Sequence, residues 1–251
     1  KSFEDELAGK YKIKSHMCDY TSSLDCLSTP IIEPLQTFEK LWLDLHKTPS
    51  SISLEQWVKR LYPSTHSGDL ILQMDIEGAE NRNLLHTQQQ CLKRFRIIAI
   101  EFHNLDVLRL EGRLKWHIKS WLAAIWCFLL RPVVSPLSNR GLLRKICVRA
   151  EQNLEPFLIG LLIKKLSKTH ICVHAHANNN SHYSYIDQET GMNIPSLIEL
   201  TYLRKDRFKG NPTDWISPQI PHELDIDTNA PDKPSMLLNS QWTKTERTRP
   251  V

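Results

Sequence analysis

Asp69-Leu70-Ile71-Leu72-Gln73-Met74-Asp75-Ile76-Glu77-Gly78-Ala79-Glu80 sets the reading of the whole chain. A short, almost unbroken apolar run ends in carboxylates and a glycine, and a helix-like segment begins at Asn81. Such a run is expected to be a parallel strand buried on both faces. Open α/β sheets bind ligands beyond the carboxyl ends of their strands, so Asp75 and Glu77 stand where chemistry is expected. A plainer reading has the carboxylates capping the next helix, whose amide end favours negative charge. Acidic residues at 75, 77 and 80, directly after a core strand, favour a site over a cap.

The neighbouring segments extend this pattern. A helix is expected from Asn83 to Arg94, followed by a second buried strand, Phe95-Arg96-Ile97-Ile98-Ala99-Ile100, which ends in Glu101-Phe102-His103. Two strands that deliver ionisable residues to one rim make a stronger site than either alone. On the amino-terminal side, Ser53 stands before Gln56 at capping-box spacing, so a helix should run to Leu61 and stop at Tyr62-Pro63. Phe38, Leu41, Trp42 and Leu45 have helical spacing, and Ser22 to Pro34 reads as loop. Ser2 to Ala8 reads as the end of an amphipathic helix closed by Gly9 and Lys10. Tyr11 to Cys18 reads as a strand tipped by Asp19, an acid placed to hydrogen-bond the hydroxyls of a ribose.

Toward the carboxyl terminus, Leu114 to Leu166 reads as mostly helical, with breaks at Pro132 and Pro136. Within it, Trp121 to Leu130 is apolar but too short to cross a bilayer. Lys115, Lys119, Arg131 and two tryptophans would suit a helix lying in a membrane interface, so residues 115–131 offer a peripheral membrane contact. A buried core helix or a partner-binding surface explains the same residues. In His170 to Asn180, a period of two puts Cys172, His174, His176 and Asn178 on one strand face. Two alternate histidines could share a metal, or the face could simply be polar, with the asparagines serving a hydroxylated ligand. Pro195 to Leu203 reads as a last strand, paired with the preceding one across Ser181 to Asn193. Residues 207–251, rich in Pro, Asp and Asn, read as an irregular tail.

Composition narrows the class. The 251 residues are 41% hydrophobic and 24% charged, as in a soluble globular protein. A net charge of +4 is too mild to argue for nucleic acid. The six cysteines form no CxxC pair and no secretory leader is visible, which suits reduced thiols and a cytoplasmic setting. Lys1 in place of a methionine suggests a fragment or a processed chain.

Ser2-Phe3-Glu4, Cys18-Asp19-Tyr20-Thr21, Leu72 to Glu80, Ala99 to His103, His174 to Asn179 and Ile198 to Tyr202, in this order, resemble the FkbM-like S-adenosylmethionine-dependent methyltransferases. The resemblance covers roughly residues 2–205, and the DIEGAE piece is its most specific part. It implies a methyltransferase-like α/β domain over residues 1–206, with a helical insertion at about 108–136. The implied sheet is Rossmann-like and seven-stranded, of the class I methyltransferase type, mostly parallel with an antiparallel last strand. The family's first strand and glycine-rich turn would precede Ser2 and are missing from the chain as given. By the same resemblance Asp19, Asp75 and Glu77 serve the cofactor, while Glu101, His103, His174, His176, Asn178 and Asn179 face a small-molecule acceptor. Family members methylate hydroxyl groups, often on sugars or natural products.

Methyl transfer from a sulfonium needs the acceptor oxygen held in line with the leaving sulfur. Orientation of this kind accounts for roughly 7–11 kcal/mol of a barrier. A general base adds about 10²–10⁴-fold, and His103, His176 and Asp75 are the candidates for it. A divalent cation held by Asp75 and a neighbouring histidine could acidify the hydroxyl instead. Three rival readings stay open: a non-catalytic or membrane-associated binding protein that keeps the fold, a metal-dependent hydrolase on His174 and His176, and a nicotinamide enzyme. No GxGxxG supports the last.

Overall fold

The computed structural model describes residues 1–45, 48–63, 68–103, 105, 157–180, 184–187, 191–210, 232–234, 236–239 and 242. The expected insertion at 108–136, the expected membrane contact at 115–131 and most of the 207–251 tail lie outside them. Among the described residues no helix is long and apolar enough to cross a membrane. The chain divides into two compact units, Lys1–Gly68 with Arg82–Cys91, and Asp69–Asn81 with Leu92–Val251.

The first unit opens with helix α1, Ser2–Tyr11. It runs past Gly9 and Lys10, the expected stop, and closes where Lys12 turns left-handed (φ 55°). Strand β1, Ser15–Cys18, pairs in parallel with β2, Gln36–Glu39, and a shorter parallel pair joins β3, Trp42–Leu43, to β4, Ser51–Ile52. The helix expected through Phe38, Leu41, Trp42 and Leu45 is therefore two strands. Their amides and carbonyls are taken by neighbouring strands: Ser15 and Asp19 donate to Leu35 and Glu39, and Trp42 donates to Ser50. A spacing of three or four says nothing about that long-range pairing, which decides the outcome. Between Ser22 and Pro34 the chain is loop, as expected, apart from a single 3-10 turn at Leu24–Cys26.

Helix α2, Leu54–Leu61, forms as the capping pattern demands, with Ser53 Oγ accepting from the Gln56 amide at 3.3 Å. Leu54 and Val58, four apart, are its buried face. Glu39 of β2 anchors the helix by accepting from Trp57 Nε1 at 3.0 Å and pairing with Arg60. Ser53→Ala is expected to lower unfolding free energy by about 1 kcal/mol, read from urea denaturation, because one amide at the helix start loses its acceptor. An unchanged midpoint would mean that the cap contributes nothing.

The second unit is built on a four-stranded mixed sheet. Its members are β5, Leu70–Met74; β6, Phe95–Phe102; β7, His170–Ala177; and β10, Ile198–Arg204, with β8, Ser184–Ile186, and β9, Asn193–Pro195, forming a small antiparallel hairpin on the way to β10. The spatial order is β5-β6-β10-β7, so among the described residues four strands join where the resemblance implies seven, and β1 and β2 pair separately. β5 and β6 are parallel, while β10 runs antiparallel to both of its neighbours. The protein is thus α/β with a mixed sheet, an arrangement compatible with a Rossmann-like fold. The hairpin relation expected between the last two long strands is present, but Pro195 belongs to β9 and not to the last strand.

Burial along β5 alternates: Leu70, Leu72 and Met74 are buried, whereas Ile71 and Gln73 are exposed. The expected burial on both faces is not realised: one face of β5 is buried and the side chains between reach solvent. Ile98, Ile100 and Phe102 of β6 and Ile198, Leu200 and Tyr202 of β10 continue the buried set. The helix expected over 83–94 is two short ones, α3, Glu80–His86, and α4, Gln89–Leu92. A further helical stretch, α5, covers residues 157–166, and Ile159, Leu162 and Leu166 form its buried stripe.

Ion pairs fix the amino end of β5. Asp69 pairs with Arg204 at 2.6 Å and with Arg207 at 2.9 Å, and the two guanidiniums, Arg207 foremost, hold its carboxyl below the usual carboxylate range. The unfolded chain then binds this proton more readily than the folded one. The contribution is present above the ordinary aspartate pKa of about 3.9 and fades as pH falls through and below it. Melting temperature should therefore drop more steeply on acidification in the wild type than in Asp69→Asn; parallel curves would contradict this.

Candidate functional site

Register brings the rim together. Gln73 pairs with Ala99 and Met74 with Ile100, so Asp75, the next residue, meets Glu101 at the carboxyl end of two adjacent parallel strands. Across β6, Glu101 pairs with Glu199 of β10, which pairs with His176 of β7. Cross-strand partners share a face, so this row of ionisable residues runs across one face of the sheet. Asn178, one step beyond β7, donates from Nδ2 to Glu101 Oε1 at 2.7 Å.

Beyond β5 the chain turns sharply. Glu77 (φ 55°) and Gly78 (φ 92°) both take left-handed conformations, uncommon for a glutamate and natural for a glycine. The turn is stitched by Glu80, 1% exposed, whose Oε1 accepts from the Ile76 amide at 2.9 Å and the Gly78 amide at 3.2 Å. The same oxygen lies 3.2 Å from His103 Nδ1. That nitrogen is fully enclosed and makes no aligned hydrogen bond, so the approach is an ion-pair contact. The other ring nitrogen, Nε2, faces Asp75 at 3.6 Å and Glu77 at 3.5 Å. The cap and the site are therefore one structure: the buried carboxylate that closes the turn also orients the imidazole.

The electrostatics follow from this crowding. Burial, then the adjacent Asp75 charge, pushes Glu101 up to about 7. Contact with Glu80, outweighing burial, pushes His103 up to about 9. Burial would raise Glu80, but contact with His103 and bonds from backbone amides outweigh it and leave its carboxyl below the usual range. At neutral pH the imidazole already carries its proton, which makes it a donor and not the proton acceptor its residue type suggests. Among the described residues no lysine or arginine pairs with Asp75, Glu77, Glu80 or Glu101, so four carboxylates face one imidazole.

The remaining expected residues fall elsewhere. The period-two face through Cys172 is broken: Thr201 pairs with His174 and Tyr202 with Cys172, so Val173 is an extra residue in a bulge. Cys172 thereby parts from His174 and His176, which stay on the Glu199 side. Among the described residues one group of three metal-ligating side chains converges, Asp75, Glu101 and His103, and neither His174 nor His176 joins it. Asn179 sends its amide to the Lys233 carbonyl at 3.4 Å, and Asn180 donates its backbone amide to Asn178 Oδ1 at 2.9 Å. Described tail residues are irregular but held: Asn239 donates to the Gly191 carbonyl at 2.7 Å and Trp242 Nε1 to that of Asn193 at 2.7 Å. His170, 1% exposed and depressed by burial, donates or accepts only within the fold, at Phe95 O and Thr169 Oγ1.

Asp19 belongs to the first unit. Its Oδ1 accepts from the Thr21 amide and from Thr21 Oγ1, both at 2.7 Å, so one oxygen is committed to the turn after β1. Comparison with protein-family models, with characterised proteins and with solved structures gives no match for this chain.

Proposed function

We propose that this chain is an S-adenosylmethionine-dependent methyltransferase that O-methylates a hydroxyl on a sugar or natural-product-like small molecule. The observation that carries the reading is the charge of the rim: four carboxylates against one imidazole, with no lysine or arginine partner among the described residues. Such an edge attracts a cationic sulfonium and its ammonium group. It repels the pyrophosphate of a dinucleotide, which wants amide donors or positive charge. The donor set thus fits this cofactor, and an antiparallel last strand set inside a parallel sheet agrees with the family resemblance.

When bound, the cofactor supplies a methyl group already activated for displacement. The chain has to orient the acceptor and take its proton. Asp75, 41% exposed and beside Glu101 at the strand ends, is the group assigned to receive the hydroxyl proton; Glu77 is 88% exposed and stands on the turn beyond it. Asn178 fixes Glu101 beside it, and His103, turned by Glu80, lends positive charge to the Asp75 side. Asn178 and Glu101 also offer one donor and one acceptor edge to a polyhydroxylated acceptor.

Titration calorimetry of the full-length gene product with S-adenosylmethionine and S-adenosylhomocysteine tests the reading. Saturable binding of both, without competition from NAD, is expected. Absence of binding by folded protein would overturn it.

A further inference from the structure

We propose that Asp75, Glu101 and His103 form a binding site for a first-row divalent cation at the carboxyl edge of β5 and β6. Each offers one ligand atom, and the three atoms lie within 4.8 Å of one another. Ligands around an ion held at about 2.1 Å stand roughly 3–4 Å apart, so small side-chain rotations close the set. The three positions are fixed by the parallel ladder through Met74 and Ile100 and not by one flexible loop.

What separates this group from a chance gathering of acids is the imidazole and what lies behind it. His103 is only 12% exposed, its Nδ1 makes no aligned hydrogen bond, and its Nε2 stays 3.5–3.6 Å from the nearest carboxylates. A polar ring so enclosed is normally satisfied through at least one aligned bond. Here Nε2 faces the cluster, within ion-pair range of Asp75 and Glu77, and makes no shorter contact among the described residues. Behind it stands Glu80, the buried carboxylate that characteristically orients a metal-ligating histidine from the second nitrogen. Glu101 is oriented likewise: Asn178 donates to its Oε1, and its carboxyl also contacts Asp75, the second carboxylate of the set. Two carboxylates and an imidazole suit Mn²⁺ or Fe²⁺ better than Ca²⁺, which prefers oxygen alone.

Ion binding forms a bond at Nε2 and releases the proton carried there to solvent. One oxygen of Asp75 suffices for the ion. A position left open on the ion would take the acceptor hydroxyl and acidify it, with the second Asp75 oxygen receiving the proton. That catalytic use rests on the methyltransferase reading; the ion site itself does not.

The test is Mn²⁺ binding to the full-length gene product, stripped with chelator and held without methyl donor, followed by paramagnetic resonance of the free ion. One ion per chain is expected. Asp75→Asn, Glu101→Gln and His103→Gln should each weaken it at least about tenfold, and Glu80→Gln, which removes no ligand, by about 10–100-fold. Glu6→Gln, which removes an exposed carboxylate on α1, should change nothing. If the variants fold poorly, substoichiometric Mn²⁺ should still broaden the His103 imidazole signals of the wild type before others. No saturation below about 1 mM (about 4 kcal/mol of binding), equal weakening by Glu6→Gln, or an unbroadened His103 would overturn the site. Donor binding measured by calorimetry is independent, so failure of the ion site and failure of the methyltransferase reading are told apart.

Discussion

Glu80→Ala is expected to lower unfolding free energy by about 3 kcal/mol, the scale for removing one partner of a buried charge pair. The Ile76 and Gly78 amides lose their acceptor, and the His103 ring loses its nearest counter-ion. The turn they hold contains Glu77 in a left-handed conformation, which is unfavourable without that support. Glu80→Gln should fall between wild type and alanine, since its amide oxygen can still accept from the turn while the charge facing His103 is gone. Urea denaturation reads both. A loss below about 1 kcal/mol for alanine would mean the carboxylate is an ordinary helix-start residue.

Asp75→Asn is expected to reduce methyl transfer by about 10²–10⁴-fold, the range for loss of a general base. Asparagine keeps the shape and the turn, so the melting temperature should hardly move. Single-turnover rates with saturating donor separate chemistry from binding: the rate should fall while donor affinity shifts only a few-fold. His176→Asn, at the far end of the same row, should have a much smaller effect because β10 lies between it and Asp75. Unchanged turnover in Asp75→Asn would remove this carboxylate from the chemistry.

Local signals carried the parts of the fold that depend on neighbours in sequence. Ser53 and Gln56 marked the start of α2 because a cap is made within four residues. The apolar runs at Leu70 and Phe95 marked β5 and β6, and their acidic ends marked the rim. What was illegible depends on partners far along the chain. Phe38 and Trp42 keep helical spacing, yet their backbone groups pair with strands, so the pattern misled. The bulge at Val173 cannot be read from alternation, because it is defined by Thr201 and Tyr202 across the ladder. The site shows the same division. Asp75, Glu101 and His103 were visible as residue types at strand ends, whereas the role of Glu80 depended on the fold. A glutamate opening a helix after a Gly turn is a usual cap; only the approach of His103, 23 positions on in the sequence, makes it part of the site. That contact also reverses the expected duty of the histidine, from proton acceptor to proton holder.

Chemical-shift mapping of the full-length gene product with S-adenosylmethionine reads the central claim most directly. The account predicts saturable shifts centred on the Ile76 and Gly78 amides and the His103 ring, at the acidic edge of β5 and β6. Saturable shifts confined to other parts of the chain, or none from folded protein at millimolar donor, would contradict it.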